Sequence, residues 1–266
     1  MIPKIIHYCW FGGKPIPEKN KKCINSWKEF CPDYEIIEWN ESNYDVKKNK
    51  YMIEAYNSQN WGFVPDFARL DIIYNYGGIY LDTDVEIIKS LDPLLNEKAF
   101  MGFEDGYHVS PGLGFGAEKG NSTVKMIMDA IYKDRAFILS DGNYDTTASP
   151  KMNTAFLIQL GLKTDNSMQL INNSLKILPK DYLCPKDFFS GKLCVTNNTY
   201  SIHHFDGSWL PEEELFKLEL RRKLCKFMPR PMASKCSKII AISKYEGLSE
   251  LKNYVLSYCN KRIHGK

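Results

Sequence analysis

Apolar and polar positions change period repeatedly along this chain. Lys4 to Cys9 is a short apolar run of strand type, closed by Trp10-Phe11-Gly12-Gly13-Lys14-Pro15, where two glycines and a proline break it. Pro17 suits the first turn of a helix, and Cys23, Ile24, Trp27 and Phe30/Cys31 recur at one-face spacing until Pro32 stops the pattern. Tyr34 to Trp39 returns to strand composition. Strand, helix and strand in succession predict an α/β layered domain with a mainly parallel sheet.

The segment from Asn60 to Glu86 is the most informative. Phe63, Phe67, Leu70 and Tyr74 step at helical spacing, Pro65 falls early, and Gly77-Gly78 can end the helix in a left-handed turn. Ile79-Tyr80-Leu81 then reads as a strand, with Asp82-Thr83-Asp84 at its C-terminal end, the edge where open α/β sheets bind ligands. Ala99 to Phe103 and Gly112 to Ala117 are expected as strands, and Asn121-Ser122-Thr123 as the cap of a helix burying Val124, Ile127, Met128 and Ile131. Residues 141–153 are polar and turn-rich, the composition of a functional loop. Ser201 to Trp209 reads as a last strand-to-loop transition, and residues 211–266 as a helical extension packed on a main domain spanning 1–210.

Composition narrows the picture. With 44% hydrophobic and 25% charged residues the chain can bury a core, which excludes disorder and collagen, and its net charge of +3 does not call for a nucleic-acid partner. No stretch approaches a membrane span, and the first residues lack the layout of a signal peptide, so a cytoplasmic location is expected. The eight cysteines form no Cys-x-x-Cys pair and read as reduced, packed thiols.

The candidate chemistry collects at the sheet edge. Asp82 and Asp84 can share a hard divalent cation, or Asp82-Thr83-Asp84 can be an Asx-rich turn. Asp66 and Arg69 share a helix face and can act together, or form a surface ion pair. Trp10 follows the first strand and is either core or a platform for a stacked base. Of His203 and His204, strand geometry allows at most one to join the aspartates. No Walker loop and no G-x-G-x-x-G follows a strand.

The run Pro65-Asp66-Phe67-Ala68-Arg69 through Asp82-Thr83-Asp84, with the opening Ile2-Pro3-Lys4-Ile5-Ile6-His7-Tyr8-Cys9-Trp10-Phe11-Gly12-Gly13, closely resembles glycosyltransferase family 32. That group includes bacterial capsular polysaccharide enzymes and yeast initiating mannosyltransferases, and the same run is similar to the catalytic domain of the large clostridial glucosylating toxins. The resemblance spans roughly residues 2–210 and implies a GT-A fold, a nucleotide-sugar donor, usually a UDP-sugar, and a divalent metal, manganese or magnesium. It also implies retaining transfer to a glycan or lipid-linked glycan in surface polysaccharide synthesis. By the same resemblance Trp10 stacks on the donor base, Asp66 and Arg69 hold the donor sugar, Asp82 reaches ribose or sugar, and Asp84 ligates the metal. His204, in His204-Phe205-Asp206-Gly207, is similar to a metal-binding histidine of related enzymes, with Ser208 as a rival ligand, and Trp209 matches a tryptophan over the donor phosphates.

Two other classes fit the triplet alone: a calcium-dependent carbohydrate-binding module and an Asp-x-Asp phosphohydrolase. The acceptor should be set by residues 104–111, 141–153 and the C-terminal helices, where no residue code is legible. Within 217–238, eight basic residues face the single acid Glu219, with Leu218, Leu220, Leu224, Phe227 and Met228 interleaved. That pattern fits a membrane-surface helix or a solvated helix face.

Overall fold

The computed structural model describes residues 1–207 and 210–264, by backbone alone at 255 and 257–264. The chain divides into two compact units: Met1–Lys186 with Leu193–Asp206, and Asp187–Lys192 with the residues from Gly207 onward. No helix of the described residues is long and apolar enough to cross a membrane.

The first unit opens as its apolar pattern requires, with β1 (Ile5–Cys9), α1 (Glu18–Phe30) and β2 (Glu35–Trp39). Helices α2 (Lys50–Asn57) and α3 (Val64–Tyr76) lead to β3 (Gly78–Tyr80) and β4 (Val85–Ile87). Next come β5 (Ala99–Phe103), β6 (Val109–Ser110) and β7 (Phe115–Ala117). Then follow α4 (Ser122–Tyr132), α5 (Ser149–Gln159), β8 (Gln169–Ile171), β9 (Leu175–Leu178), α6 (Lys180–Leu183) and β10 (Ser201–His203). Asn121 caps α4 through its side-chain oxygen, which accepts from the Thr123 and Val124 N–H groups.

The main sheet is ordered β2-β1-β3-β7-β5-β9-β8, with β6 beside β5. β1, β2, β3, β5 and β9 run one way and β6, β7 and β8 the other. The sheet is therefore mostly parallel in strand direction, within an α/β architecture. Two expected boundaries move. Pro111–Leu113 is a tight 3₁₀ turn, so the strand begins only at Phe115. The polar segment 141–153 ends at Ser149, where Pro150 occupies the first turn of α5 and Met152 and Leu157 turn inward.

The diglycine does two jobs. Gly77 caps α3 at φ 71°, its N–H donating to Ile73 O at 2.9 Å. Gly78, at φ 101°, lies so close to β1 that a Cβ there would stand 2.7 Å from Ile5 O and 2.9 Å from His7 Nε2. That imidazole is fully buried. Its Nδ1 accepts from Trp39 Nε1–H at 3.0 Å, since an indole can only donate, and its Nε2–H donates to Gly77 O at 2.9 Å. Burial outweighs the Gly77 bond and lowers its pKa to about 4.

A stability change with pH follows. In the unfolded chain His7 titrates near the ordinary value of about 6.5, so between pH 6.5 and 4 the unfolded state binds the extra proton. The His7 contribution to stability is complete above about pH 6.5 and is lost, by about 3 kcal/mol, as pH drops toward 4. His7→Gln offers one acceptor and one donor without titrating, so it should flatten this part of the curve. Urea midpoints across the range for both proteins decide, and an unchanged slope in the variant would refute the assignment.

The second unit contains α7 (Glu212–Leu224), α8 (Arg230–Tyr245) and α9 (Gly247–His264). Ala233, Ser237 and Ala241 form the buried stripe of α8, and α8 packs against both α7 and α9.

Candidate functional site

Asp82-Thr83-Asp84 is the turn that joins β3 to β4. Asp82 N–H donates to Gly112 O at 3.2 Å, and Val85 N–H returns to Asp82 O at 3.0 Å. Helix α1 holds the far side: Asn20 Nδ2 donates to Thr83 Oγ1 at 3.0 Å, Trp27 Nε1 to Val85 O at 2.7 Å, and Ser26 Oγ accepts from Ile87 N–H at 2.9 Å. β4 pairs antiparallel with β10, with Val85 opposite His203.

This pairing brings two residues 119 apart in sequence into contact: His203 Nε2 lies 3.1 Å from Asp84 Oδ1. Asp84 Oδ2 accepts from Asp206 N–H at 2.9 Å, and the Asp84 carbonyl accepts from His204 N–H at 3.0 Å. The Phe205 ring, on a backbone at φ 56°, lies 4.2 Å from the His203 ring between centroids. One ligand atom each from Asp82, Asp84 and His203 lies within 4.8 Å of the others. Two carboxylate oxygens and an imidazole nitrogen form a donor set suited to a divalent cation.

The expected His204 is not the histidine in this cluster. Neighbouring residues of a strand face opposite ways, and the β10 register turns His203 inward while His204 Nε2 bonds Glu86 Oε2 at 2.7 Å. Burial pushes the Asp84 carboxyl up, but the His203 charge, its hydrogen bond and the Asp206 N–H prevail and hold it well below the usual carboxylate range. His203 is raised well above its ordinary value, because Asp84 outweighs the burial that would lower it. The two form an ion pair with the proton on the ring.

Behind the turn stands a second charged group. Pro65 in the first turn of α3 sets Asp66 and Arg69 three residues apart on one face, and both are buried, at 4% and 5% exposure, where a surface pair was an alternative. Arg69 Nη2 is 3.3 Å from Asp66 Oδ1 and 3.3 Å from Asp82 Oδ1. The guanidinium lies 5.1 Å over the Tyr80 ring, whose hydroxyl donates to Asp82 Oδ1 at 3.1 Å. Gly112 closes the group: a Cβ there would stand 2.3 Å from Asp82 Oδ2 and 3.0 Å from Arg69 Nη1. Burial pushes Asp66 up to about 7; Asp82 adds to the rise, while Arg69, Arg135 and Ser149 oppose it. Burial likewise raises Asp82 despite Arg69, and the Asp84 charge adds to the effect.

Three partners of this group escaped the sequence reading: Gly112, Tyr80 as a hydrogen-bond donor, and the Arg135 guanidinium, which pairs with Asp145. The register of β1 on β3 sets His7 beside Tyr80, so Trp10 emerges at the same sheet edge as the Asp-x-Asp turn. It is half-buried, with Nε1–H donating to Lys14 O at 2.5 Å within its own loop. Ser208 and Trp209 lie outside the described residues.

Residues 17–101 match the family model described as a glycosyltransferase sugar-binding region containing a DXD motif. Over 108 residues the chain is 37% identical to inositol phosphoceramide mannosyltransferase 3 of Schizosaccharomyces pombe, a match covering 38% of this chain and 29% of that protein. The chain thus spans less than a third of this yeast relative's length. An uncharacterised glycosyltransferase of Acanthamoeba polyphaga mimivirus is 26% identical over 243 residues, covering 86% of this chain and 92% of the viral protein. Among solved structures, the PaToxG glycosyltransferase aligns at a TM-score of 0.44 with 20% identity, over 59% of this chain and 69% of that one. The matched region runs from α1 through the Asp66–Arg69 helix and the Asp82-Thr83-Asp84 turn to β5, so the part of the chain similar to this DXD-containing glycosyltransferase region is the part that holds Asp66, Arg69, Asp82 and Asp84.

Proposed function

We propose that the protein is a metal-dependent glycosyltransferase. It moves a sugar from a nucleotide-sugar donor, a UDP-sugar, to a glycan or lipid-linked glycan with retention of configuration, in cytoplasmic synthesis of a surface polysaccharide. The observation that carries this reading is the convergence of Asp82, Asp84 and His203 beside the buried Asp66–Arg69 pair. A lipid-linked acceptor is also consistent with the yeast relative, whose name describes mannose transfer to inositol phosphoceramide.

Asp82, Asp84 and His203 would hold manganese or magnesium. The cation supplies positive charge against the negative charge that grows on a departing diphosphate. The chain's own residues do the rest. Asp84 and His203 share a proton across their 3.1 Å contact, and a cation held there would compete with it for the same electron pairs. Tyr80 and Arg69 fix the Asp82 carboxylate from behind. Asp66 and Arg69 bind donor-sugar hydroxyls with one acceptor and one donor, and Trp10 stacks on the base.

Acceptor-free cleavage of a panel of nucleotide sugars tests the reading without knowledge of the glycan. Nucleoside diphosphate release should require Mn²⁺ or Mg²⁺ and stop in EDTA, and the accepted donor at about 100 times its dissociation constant should stabilise the protein by about 2.7 kcal/mol. Cleavage at full rate in EDTA would refute metal dependence. Binding of a sugar without turnover of any donor would favour a carbohydrate-binding module.

A further inference from the structure

The second unit carries a charge pattern that the transfer reaction does not use. From Leu220 to Tyr245 there are eight basic residues and no acid, leaving 27 basic against 32 acidic residues elsewhere, a net −5 for the rest of the chain. The structure concentrates this charge at the corner between α7 and α8. Lys223, Lys226 and Arg230 are exposed there, and among the described residues neither Lys223 nor Lys226 makes an ion pair. Between them Phe227 is 86% exposed in the turn, and Met232 is 55% exposed in the first turn of α8. The Arg230 guanidinium rests 4.1 Å over the Phe189 ring, adding a third apolar side chain to the corner. Pro229 and Pro231 stiffen the turn, so Phe227 is presented with little conformational entropy left to lose.

We propose that this corner, residues 223–232, docks on an anionic lipid bilayer, with Phe227 and Met232 entering the interface and Lys223, Lys226 and Arg230 facing the headgroups. An exposed aromatic ringed by cations is complementary to a surface that is apolar below and negative above. A second copy of the chain is a poorer occupant, because a twofold contact sets the same patch against itself and would bring these cations face to face with no acid from 220 to 245 to separate them. The proposal stands apart from the catalytic reading, since none of these residues lies in the first unit.

Co-sedimentation of the full chain with phosphatidylcholine vesicles, with and without phosphatidylserine, tests it at low and high salt. Binding should appear with the anionic vesicles and weaken with salt. Lys223→Gln/Lys226→Gln/Arg230→Gln should lower the partition coefficient on the order of 100-fold, at roughly fivefold per cation. Phe227→Ala should lower it about tenfold. Both variants should keep the native melting temperature and the native rate of donor cleavage in the absence of vesicles. Equal partitioning to neutral and anionic vesicles, or variants that sediment like the native protein, would overturn the proposal. So would a concentration-dependent dimer abolished by Phe227→Ala in a protein that ignores vesicles.

Discussion

Asp84→Asn should slow turnover on the order of 10²–10⁴-fold, equivalent to about 3–5.5 kcal/mol of barrier, while leaving the fold in place. The amide has the size of the carboxylate but not its charge. It can still accept from His203 or from the Asp206 N–H through one oxygen, whereas the native side chain uses both oxygens for these partners. What it loses is the charge that competes with water for a hard cation. Excess Mn²⁺ should restore part of the rate if the loss lies in binding. Glu86→Gln provides the control, two residues along the chain and paired with the outward His204. Its rate should remain native, as should that of His204→Ala, whereas His203→Ala should weaken the metal requirement's affinity. Native turnover by Asp84→Asn, measured as metal-dependent donor cleavage, would reduce Asp82-Thr83-Asp84 to a turn between two strands.

The parts of this site that sequence reveals are those held by local rules. Helix α3 is legible because Phe63, Phe67, Leu70 and Tyr74 keep helical spacing between a proline and a diglycine, and the Asp-x-Asp turn is legible because an apolar strand precedes it. Burial of Asp66 and Arg69 is not legible. Every residue from Asp66 to Ile73 is buried, so α3 has no polar face whose direction could be read. The choice between His203 and His204 depends on the register of two three-residue strands, β4 and β10, whose sequences are too short to show a period. Gly112 is invisible for another reason: its backbone is ordinary, and only the approach of Asp82 and Arg69 in three dimensions excludes a side chain. The helix beginning at Ser149 was hidden by the polar residues before it, which extended a loop reading over its first turn.

Arg69→Met should cost about 3–5 kcal/mol of stability at pH 8, since it leaves two carboxylates near each other in a poorly solvated place with no cation between them. The pH dependence separates this from loss of packing. Asp66 has a folded-state pKa raised to about 7 against an ordinary 3.8, so the folded state holds its proton more tightly than the unfolded chain. Its ionisation therefore destabilises the fold, a penalty absent below pH 3.8, growing as pH rises, and complete above 7. Without Arg69, which opposes that rise, the penalty extends to higher pH, so the deficit of Arg69→Met should shrink as the solution is acidified toward about pH 5. Asp66→Asn/Arg69→Met removes one of the stranded charges and should regain much of the stability while staying inactive in donor cleavage. Urea unfolding of the native protein, both single variants and the double variant, at pH 5 and pH 8, forms the cycle that measures the coupling. An Arg69→Met protein within about 0.5 kcal/mol of native at pH 8, or a deficit that ignores pH, would contradict a buried charge group. The expected outcome, a stable but inactive double variant, assigns the Asp66–Arg69–Asp82 arrangement to ligand binding, because a fold that needed only stability would fill this position with apolar side chains.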